Sequence, residues 1–219
     1  MESLVGLAMG QRGALRAHQP VSTAPIASIL GGVSPRRSGE SIGASDLSKL
    51  SRPDTPSFDK DGSLLPPAIE GVVVERLSAN VDHRGSLTEV IDCSRPFWGE
   101  PIVYAYLFTI RPGRIKGWGM HKRQTDRYAV LAGDVRVVLF DDRPRSSTRG
   151  TVCQFYFTEA ARGLIRIPPG VWHADQNFGS SEAMVMNFPT RPYNRAQPDK
   201  HRLDPHSNAI PFDWALRDG

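Results

Sequence analysis

The sequence contains few cysteines and no long apolar run. Its 219 residues include two cysteines, Cys93 and Cys153, which lie far apart and lack the close spacing of a metal-binding pair. Two reduced thiols in a cytoplasmic protein are therefore expected rather than a disulfide framework. No apolar segment approaches the roughly 20 residues that cross a bilayer as a helix, so no membrane partner is expected.

Excess charge and basic patches are also lacking. The formal net charge is +4, and the basic residues are scattered without the interleaved aromatic residues of a single-strand binder. No nucleic-acid partner is therefore expected. The modest positive balance favours a small anionic substrate, such as a nucleotide diphosphate.

Residues 1–65 have no aromatic residue before Phe58 and no sustained apolar periodicity. They are rich in serine, glycine, proline and alanine, which predicts a disordered N-terminal extension with a slight resemblance to a transit peptide. No secretory signal is expected, because no apolar core follows a basic start. A folded domain is predicted over residues 66–219, with a C-terminal tail after Tyr193 that wraps around its surface.

Short apolar segments separated by glycine and proline turns fill the predicted domain. This pattern is typical of an all-β sandwich or barrel. Strands are predicted at residues 71–77, 86–91, 103–110, 154–157, 163–167 and 183–188. Two further apolar runs, 128–131 and 135–140, flank Gly133 and predict a β-hairpin. The only helical turn predicted inside the domain is Thr158–Arg162.

Titratable side chains collect just before Gly133. If the chain from Lys122 to Tyr128 is extended, alternation places Gln124, Asp126 and Tyr128 on one face, and Arg123, Thr125 and Arg127 on the other. His121 precedes this segment, and His173 follows the rigid turn Pro168-Pro169-Gly170. An imidazole beside mixed charge suits proton transfer or ligand binding.

These two stretches resemble the two conserved motifs of the cupin superfamily. The second motif is matched by Gly163, Pro168, Gly170, His173 and Asn177, and the first by His121, Asp126 and Gly133. The usual His-x-His of the first motif is here His121-Lys122-Arg123. The resemblance implies a double-stranded β-helix, the cupin jelly-roll barrel.

Within the cupins, the order of motifs from roughly Gly71 to Trp214 is similar to the dTDP-4-dehydrorhamnose 3,5-epimerases. The matching segments are Asp82-His83-Arg84-Gly85 with Glu89, Gly119-Met120-His121, Asp141-Asp142-Arg143, Ile167-Pro168-Pro169-Gly170 with His173, Pro189-Thr190 with Tyr193, and Asp204-Pro205. The resemblance implies a homodimeric isomerase that takes a dTDP-4-keto-6-deoxysugar and needs no cofactor.

The resemblance also implies roles for single residues. His121 matches the base that removes a proton alpha to the C4 ketone, and Lys116 and Arg127 are candidates to stabilise the resulting enolate. The tyrosine that donates a proton in the family falls at Asn187. Tyr193 is therefore the candidate donor, with Tyr128 as the alternative, while Asn187 and His173 are expected to contact the substrate.

Arg84 and Glu89 match a segment that holds the nucleotide in the family, often across a dimer by exchanged strands. The forked donors of arginine suit a diphosphate. The alternative interpretation is a plain turn that connects two strands.

Two other functions remain open, besides a related sugar 3,4-ketoisomerase. One is a non-catalytic sugar-binding or regulatory cupin. The other is a metal-dependent cupin oxygenase, with His121, Asp126 and His173 as ligands. Arg123 stands where the second histidine of the first motif would be, and its permanent charge would oppose a cation. No metal is therefore expected.

Overall fold

The computed structural model describes residues 69–216, so the predicted disordered extension at 1–65 lies outside the described residues. The described part of the chain contains twelve strands and no helix, which confirms the all-β fold class. Between residues 69 and 216 there is accordingly no helix with the length and apolarity needed to span a bilayer.

The strands are β1 (Val73–Arg76), β2 (Ala79–Asp82), β3 (Gly85–Thr88), β4 (Tyr106–Ile110), β5 (Ile115–His121), β6 (Asp126–Ala132), β7 (Val135–Asp141), β8 (Val152–Phe157), β9 (Gly163–Ile167), β10 (Val171–Asn177), β11 (Ala183–Asn187) and β12 (Lys200–Arg202).

Ten of these strands form two five-stranded antiparallel sheets, in the orders β1-β9-β6-β11-β4 and β12-β5-β10-β7-β8. The main core contains buried apolar side chains from both sheets, among them Ile165 and Val185 from the first and Val137 and Leu139 from the second. Because alternate side chains point to opposite faces, each sheet presents one apolar face to the other. The strands β2 and β3 pair only with each other.

The predicted hairpin around Gly133 is wrong. Strand β6 pairs with β9 and β11, whereas β7 pairs with β10 and β8, so the turn carries the chain from one sheet to the other. Each of the two strands is paired on both sides and almost wholly buried, which explains their continuous apolar runs. Gly133 adopts φ of 76°, a value that glycine accepts without strain.

The segment predicted as a helical turn, Thr158–Arg162, is a tight turn closed by a bridge between Thr158 and Ala161. Strand β5 was not predicted, because Gly117 and Gly119 are typical of a bend. Gly117 instead allows β5 to lie close to β10. A Cβ at this position would come within 2.2 Å of the Cβ of Ala174.

Arg127 points away from Asp126, its neighbour on β6, because side chains alternate along a strand. Its side chain is fully buried at 0 % exposure. It donates hydrogen bonds to the backbone carbonyls of Trp98, Glu100, Pro101 and Phe188. These bonds fix the 98–101 loop against the first sheet, so the assignment of Arg127 as a substrate-binding residue is corrected.

The C-terminal segment covers the second sheet. Strand β12 extends this sheet by pairing with β5. Farther on, the rings of Phe212 and Trp214 pack against Trp118 of β5, with ring centroids 6.3 and 5.3 Å away. The pairing places Lys200, the first residue of β12, opposite His121 at the end of β5.

Candidate functional site

A cavity of about 720 Å³ is lined by strands β4, β5, β6, β10 and β12 together with the segment 189–195. Both predicted imidazoles, His121 and His173, line it. They come from adjacent strands, since β10 pairs with β5. Their rings stack at a centroid distance of 5.9 Å and an interplanar angle of 16°.

Asp126 links the two histidines. Its Oδ2 lies 3.5 Å from the Nε2 atom of His121 and 3.5 Å from that of His173. Its Oδ1 accepts hydrogen bonds of 2.9 Å from the side-chain amides of Gln124 and Asn187. Two neutral donors thus stabilise one oxygen of the buried carboxylate, while the other faces both imidazoles.

Burial keeps both imidazoles neutral. It lowers the pKa of His121, although Asp126 opposes this effect, and it lowers the pKa of His173 to about 4. The Nδ1 atom of His173 lies 3.3 Å from the carbonyl oxygen of Val171, to which its N–H can donate a hydrogen bond. Its Nε2 then carries a lone pair, and a neutral imidazole with a free lone pair is a competent base at neutral pH.

Asp175, on the same strand as His173, is a second buried carboxyl group at this cavity. It is 3 % exposed, and its Oδ1 has no hydrogen-bond partner among the described residues. Burial raises its pKa to about 7, against the opposing effect of Lys200 and Lys116. The protonated carboxyl can donate a hydrogen bond, and the ionised form can accept one.

Gly119 makes room for a cation beside the imidazoles. A Cβ at this position would lie 2.8 Å from the Nζ of Lys200 and 3.2 Å from the Nε2 of His173. The Lys200 ammonium therefore shares a small space with the histidine ring, and burial lowers its pKa.

Most of the remaining lining is cationic or aromatic. Five basic side chains line the cavity: Lys116, Arg191, Arg195, Lys200 and Arg202. The opposite wall carries the rings of Tyr104, which precedes β4, and of Tyr106 and Phe108, which lie on it. The ring centroids are 5.8 Å apart for Tyr104 and Tyr106, and 6.4 Å apart for Tyr106 and Phe108. An anion with a flat ring suits this combination of charge and aromatic surface.

The two histidines and Asp126 also form a possible metal site. One ligand atom from each lies within 4.8 Å of the others, and two imidazoles with one carboxylate suit zinc or iron. Arg123, whose charge was expected to oppose a cation, has a side chain that is 60 % exposed and pairs with Asp199. Asp126 itself lies between the two histidines.

Only some of the other predicted site residues line the cavity. Lys116 and Tyr193 line the cavity, whereas Asn187 lies behind Asp126 as a hydrogen-bond donor. Arg84 and Glu89 are exposed and belong to the β2–β3 segment and the residues after it, where Arg84 pairs with Asp82 of its own turn. Within residues 69–216 these two do not line the cavity that contains the histidines.

Sequence reasoning missed several residues that line the cavity, among them Tyr106, Asp175 and Lys200. The spacing of His173 and Asp175 in a strand would have signalled a shared face. Tyr106 begins β4, whose sequence is that of an ordinary apolar strand. Lys200 reaches the cavity only because β12 pairs with β5. No local sequence pattern indicates this pairing.

Comparisons with known proteins decide the family. The family described as polysaccharide biosynthesis C-terminal domain matches residues 80–201. The chain belongs to this family. Its resemblance to the cupin epimerases of the dTDP-4-dehydrorhamnose 3,5-epimerase type is confirmed by a solved dTDP sugar isomerase from Desulfovibrio desulfuricans. That structure has 28 % sequence identity and a TM-score of 0.63, and the match covers 69 % of this chain and 95 % of that one.

Two proteins similar to this chain are named for glycan or polysaccharide biosynthesis. One is a probable low-salt glycan biosynthesis epimerase, Agl13, from Haloferax volcanii, 34 % identical over 68 % of this chain and 96 % of its own length. The other is the spore coat polysaccharide biosynthesis protein SpsL from Bacillus subtilis, 32 % identical over 67 % of this chain and 96 % of its own.

The buried Asp175 predicts a pH dependence of stability. Its folded-state pKa of about 7 exceeds the ordinary value of 3.8, so the folded protein binds this proton more tightly than the unfolded chain. This contribution to stability is present below pH ~4 and is lost as the pH rises through about 7. Asp175→Asn should therefore gain about 1–3 kcal/mol, or ~3–10 °C in Tm, relative to the wild type between pH 4 and 8.

Scanning calorimetry across this pH range measures the difference between the variant and the wild type. Asp142→Asn is the control, because Asp142 is exposed and its pair with Arg149 lies at the surface. A difference for Asp175→Asn that does not change with pH would contradict the proposed burial of its charge.

Proposed function

We propose that this protein is an epimerase or isomerase of a nucleotide-linked 4-keto-6-deoxysugar, and that His121 is the base. The observation that supports this most directly is the pair of neutral, buried imidazoles around Asp126 inside a cavity. The names of the relatives, an epimerase and a dTDP sugar isomerase, support the same reaction class.

The reaction begins at a carbon next to the C4 ketone. His121 takes the proton from this carbon, and the electron pair of the broken C–H bond forms the enolate. Asp126, 3.5 Å from Nε2, stabilises the imidazolium that results. The ammonium groups of Lys200 and Lys116 supply the positive charge that an enolate oxygen requires. His173, on the adjacent strand, is positioned to contact the same sugar.

The basic side chains fit the diphosphate. Arg195 and Arg202 are exposed and line the cavity, and their guanidinium groups carry no hydrogen bond or ion pair to another described residue. Guanidinium groups without protein partners are free to bind phosphate oxygens in pairs. The aromatic wall of β4 offers a surface for the base or the sugar ring. Tyr193, the proton donor expected from the sequence, is 49 % exposed at the edge of the cavity, and we propose it as a substrate contact instead.

We also propose a homodimer in which the β2–β3 segment reaches a second copy of the chain. This segment pairs with neither sheet and exposes Val81 and Leu87 at 76 % and 60 %. Exposed apolar side chains on an isolated pair of strands are favourable only when another surface covers them. Arg84 and Glu89 lie on this segment and the residues after it, so the partner's nucleotide is their proposed ligand.

His121→Gln tests the base. We expect the wild type to exchange deuterium from solvent into C3 or C5 of a dTDP-4-keto-6-deoxysugar, and the variant to lose at least ~100-fold of this rate, since the general base is removed. Mass spectrometry of the recovered sugar measures the exchange. His201→Gln, an exposed histidine of β12, is the control. Absence of exchange with the wild type would support a non-catalytic sugar-binding protein.

Leu87→Asp tests the dimer. A charge in a buried apolar contact between subunits should convert the dimer to a monomer at micromolar concentration. Sedimentation velocity gives the mass of the species in solution. Leu216→Asp changes a comparably exposed leucine, at 53 %, outside the segment and should leave the dimer intact. A wild type that sediments as a monomer would rule out this role for Arg84 and Glu89.

A metal-dependent cupin is the second candidate, favoured by the three donor atoms of His121, Asp126 and His173. Elemental analysis of the purified protein separates the two. About one zinc or iron per chain, lost in both Asp126→Asn and His173→Gln, would establish the metal site. Full deuterium exchange by metal-free protein would leave the metal-independent reaction as the function.

A further inference from the structure

An epimerase needs a proton donor on the face of the sugar opposite the base, and Asn187 occupies the position where the resembled family has its tyrosine. Asn187 is paired across the sheet with Tyr106 of β4. Its amide nitrogen donates hydrogen bonds of 2.9 Å to the hydroxyl of Tyr106 and 2.9 Å to Oδ1 of Asp126. One amide therefore holds a phenol at a fixed position relative to the carboxylate between the histidines.

We propose that Tyr106 is the proton donor of this enzyme, positioned by Asn187. The assignment rests on the proposed epimerase function and adds a catalytic residue to it. Tyr106 lines the cavity and uses one lone pair to accept the Asn187 hydrogen bond, so its own O–H is free to point to a ligand. No described residue accepts that proton.

The two sheets place acid and base on facing walls. Tyr106 belongs to β4 of the first sheet, whereas His121 and His173 belong to β5 and β10 of the second. A sugar ring bound between the sheets presents one face to the imidazoles and the other to β4. This is the arrangement that inversion at carbon requires.

Tyr128, which lies on β6 of the same sheet as Tyr106, fits the role less well. It is 2 % exposed, and its ring meets that of His173 edge-on at 6.0 Å. Among the described residues it has no hydrogen-bond donor to stabilise a phenolate. Burial raises the pKa of Tyr128 well above its usual value. For Tyr106, burial raises the pKa to about 12, while the bond from Asn187 acts in the opposite direction.

Each proton that moves in this step has a donor and an acceptor. His121 accepts the proton from the C–H bond, whose electron pair becomes the enolate. The Tyr106 O–H bond breaks, its proton goes to the same carbon from the opposite face, and the electron pair remains on the phenolate oxygen. The Asn187 N–H stabilises this phenolate. Exchange with water then returns a proton to Tyr106 and removes one from the imidazolium.

Tyr106→Phe separates removal of the proton from its delivery. In D₂O, with a dTDP-4-keto-6-deoxysugar, the variant should still wash deuterium into the sugar at a rate within about 10-fold of the wild type, because the base is intact. Inverted product should fall at least ~100-fold, since reprotonation then occurs only from the side of the base. Mass spectrometry and proton NMR of the recovered sugar measure the two quantities.

Tyr156→Phe is the matched control, because Tyr156 lies on β8 and its hydroxyl bonds Gln154 outside the cavity. It should behave as the wild type. If Tyr106→Phe unfolds, 3-fluorotyrosine at position 106 replaces it, and the more acidic phenol should move the basic limb of the pH–rate profile to lower pH.

The outcomes are distinct. Normal inversion by Tyr106→Phe, loss of inversion in Tyr128→Phe in its place, or a pH profile unmoved by 3-fluorotyrosine would each overturn the role of Tyr106 while leaving the epimerase intact. A wild type that neither exchanges nor inverts would overturn the proposed function, and the role of Tyr106 with it.

Discussion

A buried carboxylate between two uncharged imidazoles is the constraint on which the site depends. A charge out of water is costly unless it is hydrogen-bonded, and Asp126 meets this requirement with the amides of Gln124 and Asn187. Because both amides bond the same oxygen, the other oxygen remains available to the histidine rings. Replacing either amide would therefore change the charge balance of His121 as well as the packing of the strand.

The jelly roll brings these groups together by pairing strands that are distant in the sequence. His121 and His173 become neighbours because β10 lies beside β5, and Asp126 reaches them from the facing sheet. The same facing arrangement separates the imidazoles from Tyr106 across the cavity. The fold thus provides two chemically different walls, with the imidazoles on one and Tyr106 on the other.

Much of this could be predicted from the sequence, for physical reasons that apply to particular residues. His121, Asp126 and His173 belong to motifs with local spacing, and strand alternation alone places Asp126 and Arg127 on opposite faces. The positive charge of Arg127 alone suggests a role in the site. The same alternation argues against this role, because it turns Arg127 away from the face that carries Asp126. The turn at Gly133 has the composition of a hairpin turn. However, β6 and β7 are buried on both faces and belong to different sheets. Tyr106, Asp175 and Lys200 depend on long-range pairing, which local patterns do not encode.

The positive charge beside the imidazoles depends on the lack of a side chain at position 119. At Gly119 the backbone leaves a gap into which the Lys200 amine and the His173 ring both extend. Even a methyl group would compete with them for that volume. The identity of one small residue on β5 therefore determines whether the C-terminal strand contributes charge to the cavity or merely covers its edge. A homologue with a larger residue here would have to bring its cation from elsewhere.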